Sequence, residues 1–153
     1  MFFLRVLLLV LLLGTRLRGY KILVYNSKFA HSHVNFLGAI ADRLVDGGHN
    51  VTSLMPDIIP SIANGTRKSK IIRLPPHPEA TRLMGQCMAP QSDEFFELPT
   101  NQWKWFLVNG EYLGRSLAVQ CNNTLENTEL IRRLTEARYD VFITENVDHC
   151  GIG

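Results

Sequence analysis

Net charge is almost absent from this 153-residue chain: sixteen Lys and Arg face fourteen Asp and Glu. Three of the basic residues, Arg5, Arg16 and Arg18, fall in an apolar N-terminal leader, which leaves thirteen against fourteen in the remainder. A neutral domain has no electrostatic footprint for nucleic acid, and the one basic cluster, Arg67, Lys68, Lys70 and Arg73, reads as a solvated face, so no nucleic-acid partner is expected. Cysteine is scarce as well. Cys87, Cys121 and Cys150 stand at no metal-ligand spacing, and three thiols allow at most one internal disulfide. The odd thiol implies either a partner cysteine elsewhere, which is the favoured reading, or a buried thiol. Glycine is missing between Asn26 and His33, where a dinucleotide-binding GxGxxG cradle would stand, and this argues against a nicotinamide or flavin dehydrogenase. There is no internal repeat, and outside the leader no low-complexity segment.

The leader, residues 1–19, has Arg5 near its start, an apolar run Val6 to Leu13, and small residues Gly14 and Gly19, the layout of a secretory signal peptide. The run is short of the roughly 18–20 residues that cross a bilayer, although Phe2 to Leu13 is apolar enough to hold an uncleaved leader in a membrane. Three sequons, beginning at Asn50, Asn64 and Asn122, agree with a lumenal address. Asn64, in a polar turn, is the best placed to carry a glycan; Asn50 opens a strand expected to be buried and is the worst placed.

Along the remainder, Lys21 to Tyr25 reads as a strand buried on both faces. Ser32 is positioned to cap a helix over His33 to Asp46, whose apolar positions Val34, Leu37, Ala41, Leu44 and Val45 recur at helical spacing before Gly47 and Gly48. Val51 to Met55 follows as a second strand, and Ile71 to Leu74 as a third, stopped by Pro75 and Pro76. Leu98 to Ala137 is predominantly helical, most clearly from Leu125, and Tyr139 to Thr144 is a fourth strand. The fold class expected is α/β: a doubly wound, Rossmann-like parallel sheet with helices on both faces.

Such sheets bind ligands beyond the carboxyl ends of the strands, where strand order reverses. In the order 3-2-1-4 the first and fourth strands are neighbours, so the loops after Tyr25 and Thr144 meet. The first carries His31 and His33; the second carries Glu145, Asp148 and His149. A histidine and a carboxylate brought together there make an acid/base pair, the carboxylate orienting the imidazole while its other nitrogen takes a proton from a bound hydroxyl.

The stretch Ile22 to Tyr25 through Ser32-His33-Val34, then Ala41 to Leu44, then Gly48 to Leu54, resembles the start of an animal UDP-glucuronosyltransferase, especially of the invertebrate branch. Tyr139 to Glu145 is similar to that family's fourth-strand motif. The resemblance implies two Rossmann-like domains facing across a cleft (GT-B), with residues 20–153 as an incomplete N-terminal acceptor-binding domain. The C-terminal UDP-sugar domain and the transmembrane helix would then be absent. It implies that His33 is the base that deprotonates an acceptor hydroxyl, and that Glu145 stands where the family usually has an aspartate, with Asp148 as the substitute. It further implies a UDP-sugar donor, UDP-glucuronate or UDP-glucose, a small lipophilic acceptor, inversion at the sugar carbon, no metal or other cofactor, and a place in the endoplasmic reticulum membrane or lumen. The chain alone is expected to be inactive. The alternatives are a non-catalytic lumenal regulatory subunit that dimerises with full-length relatives, and a small secreted α/β domain whose histidine and glutamate are structural.

His31 and His33 lack a third ligand at sensible spacing, so a metal pair is not expected. His49, at a helix end, reads as structural, and His149 as incidental. Phe95, Phe96, Trp103, Trp105 and Phe106 suit either an acceptor pocket or a core.

Overall fold

The computed structural model describes residues 19–89, 103–148 and 150. The leader therefore lies almost wholly outside the described residues, as do Phe95, Phe96 and His149 and the side chains of Trp103, Trp105 and Phe106. In chain order the elements are β1 (Lys21–Tyr25), α1 (His31–Asp46), β2 (Asn50–Pro56), β3 (Lys70–Leu74), α2 (Pro78–Met88), α3 (Trp103–Glu126), α4 (Thr128–Ala137) and β4 (Val141–Ile143). The four strands form one parallel sheet in the order β3-β2-β1-β4, the expected α/β plan. Among the described residues no helix is long and apolar enough to cross a membrane.

Alternation along β1 divides the core. Ile22 and Val24 pack with Leu37 and Ala41 of α1 and with Val51. Leu23 and Tyr25 face the other way, onto Leu54, Leu74 and Leu130 of α4. Both faces of β1 are thus covered, which is why its sequence is a continuous apolar run and not an alternating one. Each such aliphatic side chain contributes about 1.5–3 kcal/mol when fully buried.

Three boundaries depart from expectation. Helix α1 starts at His31 after Ala30, which makes no side-chain cap; Ser32 is exposed inside the first turn. The chain is instead steered into the helix by tertiary contacts. The Lys28 N–H donates to the Pro56 carbonyl at 2.9 Å, and the Asn26 side-chain amide donates to the Val34 carbonyl at 3.1 Å. The helix expected from Leu125 is two helices, because the Asn127 side chain accepts from the Leu130 N–H at 3.0 Å and caps α4. Leu125 and Glu126 close α3 instead. The fourth strand begins at Val141, not at Tyr139, because Arg138 is left-handed (φ 48°) and Asp140 turns its carboxylate onto the Lys21 N–H at 2.7 Å.

Helix α2 was not foreseen. His77 caps it by accepting from the Glu79 N–H, and Pro78 sits in its first turn, so the proline-rich stretch after β3 initiates a helix as well as ending a strand. Its Leu83, Met84 and Cys87 are buried, with Ser116 of α3 donating to the Ala80 carbonyl at 2.7 Å.

Candidate functional site

Because β1 and β4 are hydrogen-bonded neighbours, the turn after β1 and the turn after β4 meet at one sheet edge. His33, in the first turn of α1, and Glu145, two residues past β4, come together there: His33 Nδ1 is in hydrogen-bond contact with a Glu145 carboxylate oxygen. Their side chains are 33% and 18% exposed, so the pair is sheltered but open to a reactant. The Phe29 ring packs on the imidazole at 4.6 Å between centroids. A carboxylate only accepts hydrogen bonds, so Nδ1 is the donor in this contact, and in the Nδ1–H tautomer of imidazole the lone pair is on Nε2. That arrangement can take a proton from a hydroxyl.

A small cavity under the pair is lined by Tyr25, Asn26, Ser27, Phe29, His33, Leu37, Thr144, Glu145 and Asp148. Asp148 is 5% exposed and its carboxylate accepts from the Cys150 N–H at 3.1 Å. The structure therefore brings Glu145 onto His33, and Asp148 lies in the cavity wall behind it. Burial, then the charge of Asp148, pushes the Tyr25 phenol far above its ordinary value. The Tyr25 hydroxyl and the Asn26 side-chain oxygen Oδ1 are both buried without a hydrogen bond of regular geometry. Sequence reasoning did not single out Tyr25 or Asn26; the available signal was their position at the carboxyl end of the first strand.

A second cavity, of about 320 Å³, shares Asp148 and is lined by Gly114, Leu117, Ala118, Cys121, Val147 and Cys150. Cys121 and Cys150 form a disulfide. Cys87 is buried at 5% exposure, with its Sγ 3.5 Å from the Asn109 carbonyl oxygen.

The remaining candidates lie apart from this site. His31 is exposed. His49 accepts from the Tyr20 N–H at 3.1 Å and stacks near its ring, a structural placement. Arg67, Lys68, Lys70 and Arg73 are exposed, as a solvated face requires, with Lys68 paired to Asp46. Of the sequon asparagines, Asn122 is exposed on α3 with its amide on Glu126, Asn64 is half-buried beside Gly65, and Asn50 is exposed at the mouth of β2.

Comparison with known proteins gives the same direction. The family model described as UDP-glucoronosyl and UDP-glucosyl transferase matches residues 20–152. The Caenorhabditis elegans protein ugt-56, which carries a provisional UDP-glucuronosyltransferase name, is 30% identical over 137 residues, covering 88% of this chain and 26% of that protein. Its relative ugt-47 is 29% identical over 143 residues, covering 88% and 25%. UDP-glucuronosyltransferase 2B30 of Macaca fascicularis is 27% identical over 142 residues, covering 86% and 25%. The chain thus spans about a quarter of the length of the curated relatives it matches. No solved structure gives a significant match. With the family model covering nearly the whole chain outside the leader, and a parallel α/β sheet that places a histidine on a carboxylate at its switch point, the chain belongs to the UDP-glucuronosyl and UDP-glucosyl transferase family.

Proposed function

We propose that this chain is the acceptor-side part of an inverting UDP-sugar glycosyltransferase, with His33 as general base and Glu145 as its orienting carboxylate. The observation that carries the reading is the Nδ1 contact of His33 with Glu145 where the β1 and β4 loops meet. In the reaction, Nε2 of His33 takes the proton of an acceptor hydroxyl as its oxygen bonds to the anomeric carbon. The bond from that carbon to the UDP oxygen breaks, and UDP leaves with the electron pair from the opposite side. Glu145 holds the ring and stabilises the imidazolium that forms.

The cavity beside Asp148, walled by Leu117, Ala118 and Val147, supports a small acceptor with an apolar body. A UDP-sugar, glucuronate or glucose, is the donor that family membership supports. The Cys121–Cys150 disulfide suits an oxidising lumen, in line with the leader and the sequons.

The test is sugar transfer from UDP-glucuronate and UDP-glucose to a phenol, by the product of the longest reading frame that contains this chain. His33→Ala is expected to lower kcat/KM by about 10²–10⁴-fold. Transfer that proceeds undiminished in that variant would refute the assignment.

A further inference from the structure

The loop that delivers Glu145 follows a short edge strand. Strand β4 is three residues long and pairs with β1 through Ile22–Val141, Leu23–Phe142 and Val24–Ile143. Beyond Ile143 the loop does not lie flat on α3. The cavity of about 320 Å³ separates them, with Gly114, Leu117 and Ala118 on the helix side and Val147 and Asp148 on the loop side. Among the described residues, the Asp148 carboxylate accepts from the Cys150 N–H within the loop and faces the Tyr25 phenol, Cys150 packs on the cluster of Leu23, Tyr25 and Leu130, and the Cys121–Cys150 disulfide is the covalent tie from the loop to α3.

Helix α3 is in turn a fixed support. The Gln120 side chain, next to Cys121, accepts from the His77 N–H at 2.8 Å and donates to the Pro75 carbonyl at 3.3 Å. Leu117 packs with Phe29, Ile58 and Met84, in the cluster that also includes the ring resting on His33. The helix therefore holds both halves of the site: Phe29 through packing, and the Glu145 loop through a covalent bond.

We infer that Cys121 and Cys150 are positioning residues whose disulfide keeps the Glu145 carboxylate on His33 Nδ1, and that reduction to two thiols releases it. The inference rests on the reading of His33 and Glu145 as an acid/base pair. Reduction by a dithiol such as dithiothreitol breaks the S–S bond, supplies two electrons and two protons to the cysteine sulfurs, and leaves the reagent as its cyclic disulfide. Once Glu145 leaves, nothing commits the ring proton to Nδ1, and the lone pair is no longer held on Nε2. The other titratable groups lining the cavity with His33 are Asp148 and Tyr25.

The experiment uses the chain uniformly labelled with ¹⁵N, and reads the His33 tautomer from ring proton–nitrogen correlations at a pH where the ring is neutral. The oxidised protein is expected to show the Nδ1–H tautomer, and Glu145→Ala to lose it. Cys121→Ser/Cys150→Ser, and the unmodified chain after dithiothreitol, are expected to lose it equally while the backbone amide signals of β1 and α1 stay native. Retention of the Nδ1–H tautomer in the reduced chain or the double variant, even with a lower Tm, overturns the positioning role and leaves the pair intact. Collapse of the whole amide spectrum on reduction also overturns it, in favour of a purely structural bond. Indifference of the tautomer to Glu145→Ala overturns the pair itself, and with it the tether.

Discussion

Gly38 and Gly65 meet main chain to main chain: a Cβ on Gly38 would lie 2.2 Å from the Gly65 carbonyl, and a Cβ on Gly65 would lie 2.2 Å from the Val34 carbonyl oxygen. This approach clamps the segment after β2 onto α1. It lets the Asp42 carboxylate accept from the Thr66 hydroxyl and from the N–H groups of Arg67 and Lys68. Gly38→Ala should destabilise the chain by about 1–3 kcal/mol through overpacking. Gly65→Ala should cost about 1–2 kcal/mol beyond that, because its φ of +69° also strains any L side chain. Urea unfolding of both variants checks this; a neutral Gly38→Ala would show that the two segments are free to part.

Lys28 and Asp57 form a buried ion pair, Nζ to Oδ1 at 3.1 Å, with side chains 1% and 7% exposed. Arg73, half exposed, binds the other carboxylate oxygen through Nη2 at 2.5 Å. Asp57→Asn leaves the Lys28 charge buried and uncompensated, so the expected loss is about 3–5 kcal/mol. Lys28→Met combined with Asp57→Asn should recover part of that loss, since no buried charge remains. Thermal melts of both single variants and the double variant decide the matter, and a double-variant loss equal to the sum of the two single losses would mean that the pair is not coupled.

Tyr25 is 3% exposed, and burial followed by the Asp148 charge raises its phenol pKa. The unfolded chain releases this proton near pH 10, at about the ordinary tyrosine value, whereas the folded chain keeps it. Stability linked to Tyr25 is therefore complete below about pH 10 and falls as pH rises above it. Tyr25→Phe should remove up to about 1.4 kcal/mol per pH unit of that alkaline slope. Denaturant unfolding at a series of alkaline pH values measures it, and parallel slopes would contradict the burial of the hydroxyl.

Cys87 should resist alkylation in the folded chain. It is buried, and desolvation raises its thiol pKa, so both access and the reactive thiolate are withheld. Iodoacetamide should label it slowly under native conditions and rapidly in denaturant, as mass spectrometry of the Cys87 peptide would show. Fast native labelling would place the thiol at the surface.

Much of the fold was legible because it depends on local patterning. The run Ile22 to Tyr25 and the helical spacing of Val34, Leu37 and Ala41 mark a two-faced strand and the helix that covers it, and the sheet order β3-β2-β1-β4 follows from parallel connection. The boundaries were less legible, because they depend on partners distant in sequence. Ser32 is a good cap by type, yet α1 starts one residue before it because Lys28 and Asn26 are held by Pro56 and Val34. Asn127 lies inside an apparently continuous helical pattern and still caps a new helix.

By itself the sequence determined the strands, the sheet plan, and that a histidine loop and a carboxylate loop share one edge. These follow from hydrophobic period and connectivity, which are properties of neighbouring residues. Only the tertiary structure decided that Glu145 and not Asp148 contacts His33, that Cys121 bonds Cys150 while Cys87 is buried, and that Tyr25 and Asn26 line the cavity below. Each of those outcomes turns on a few ångströms between side chains far apart in the chain, which packing sets and residue order does not.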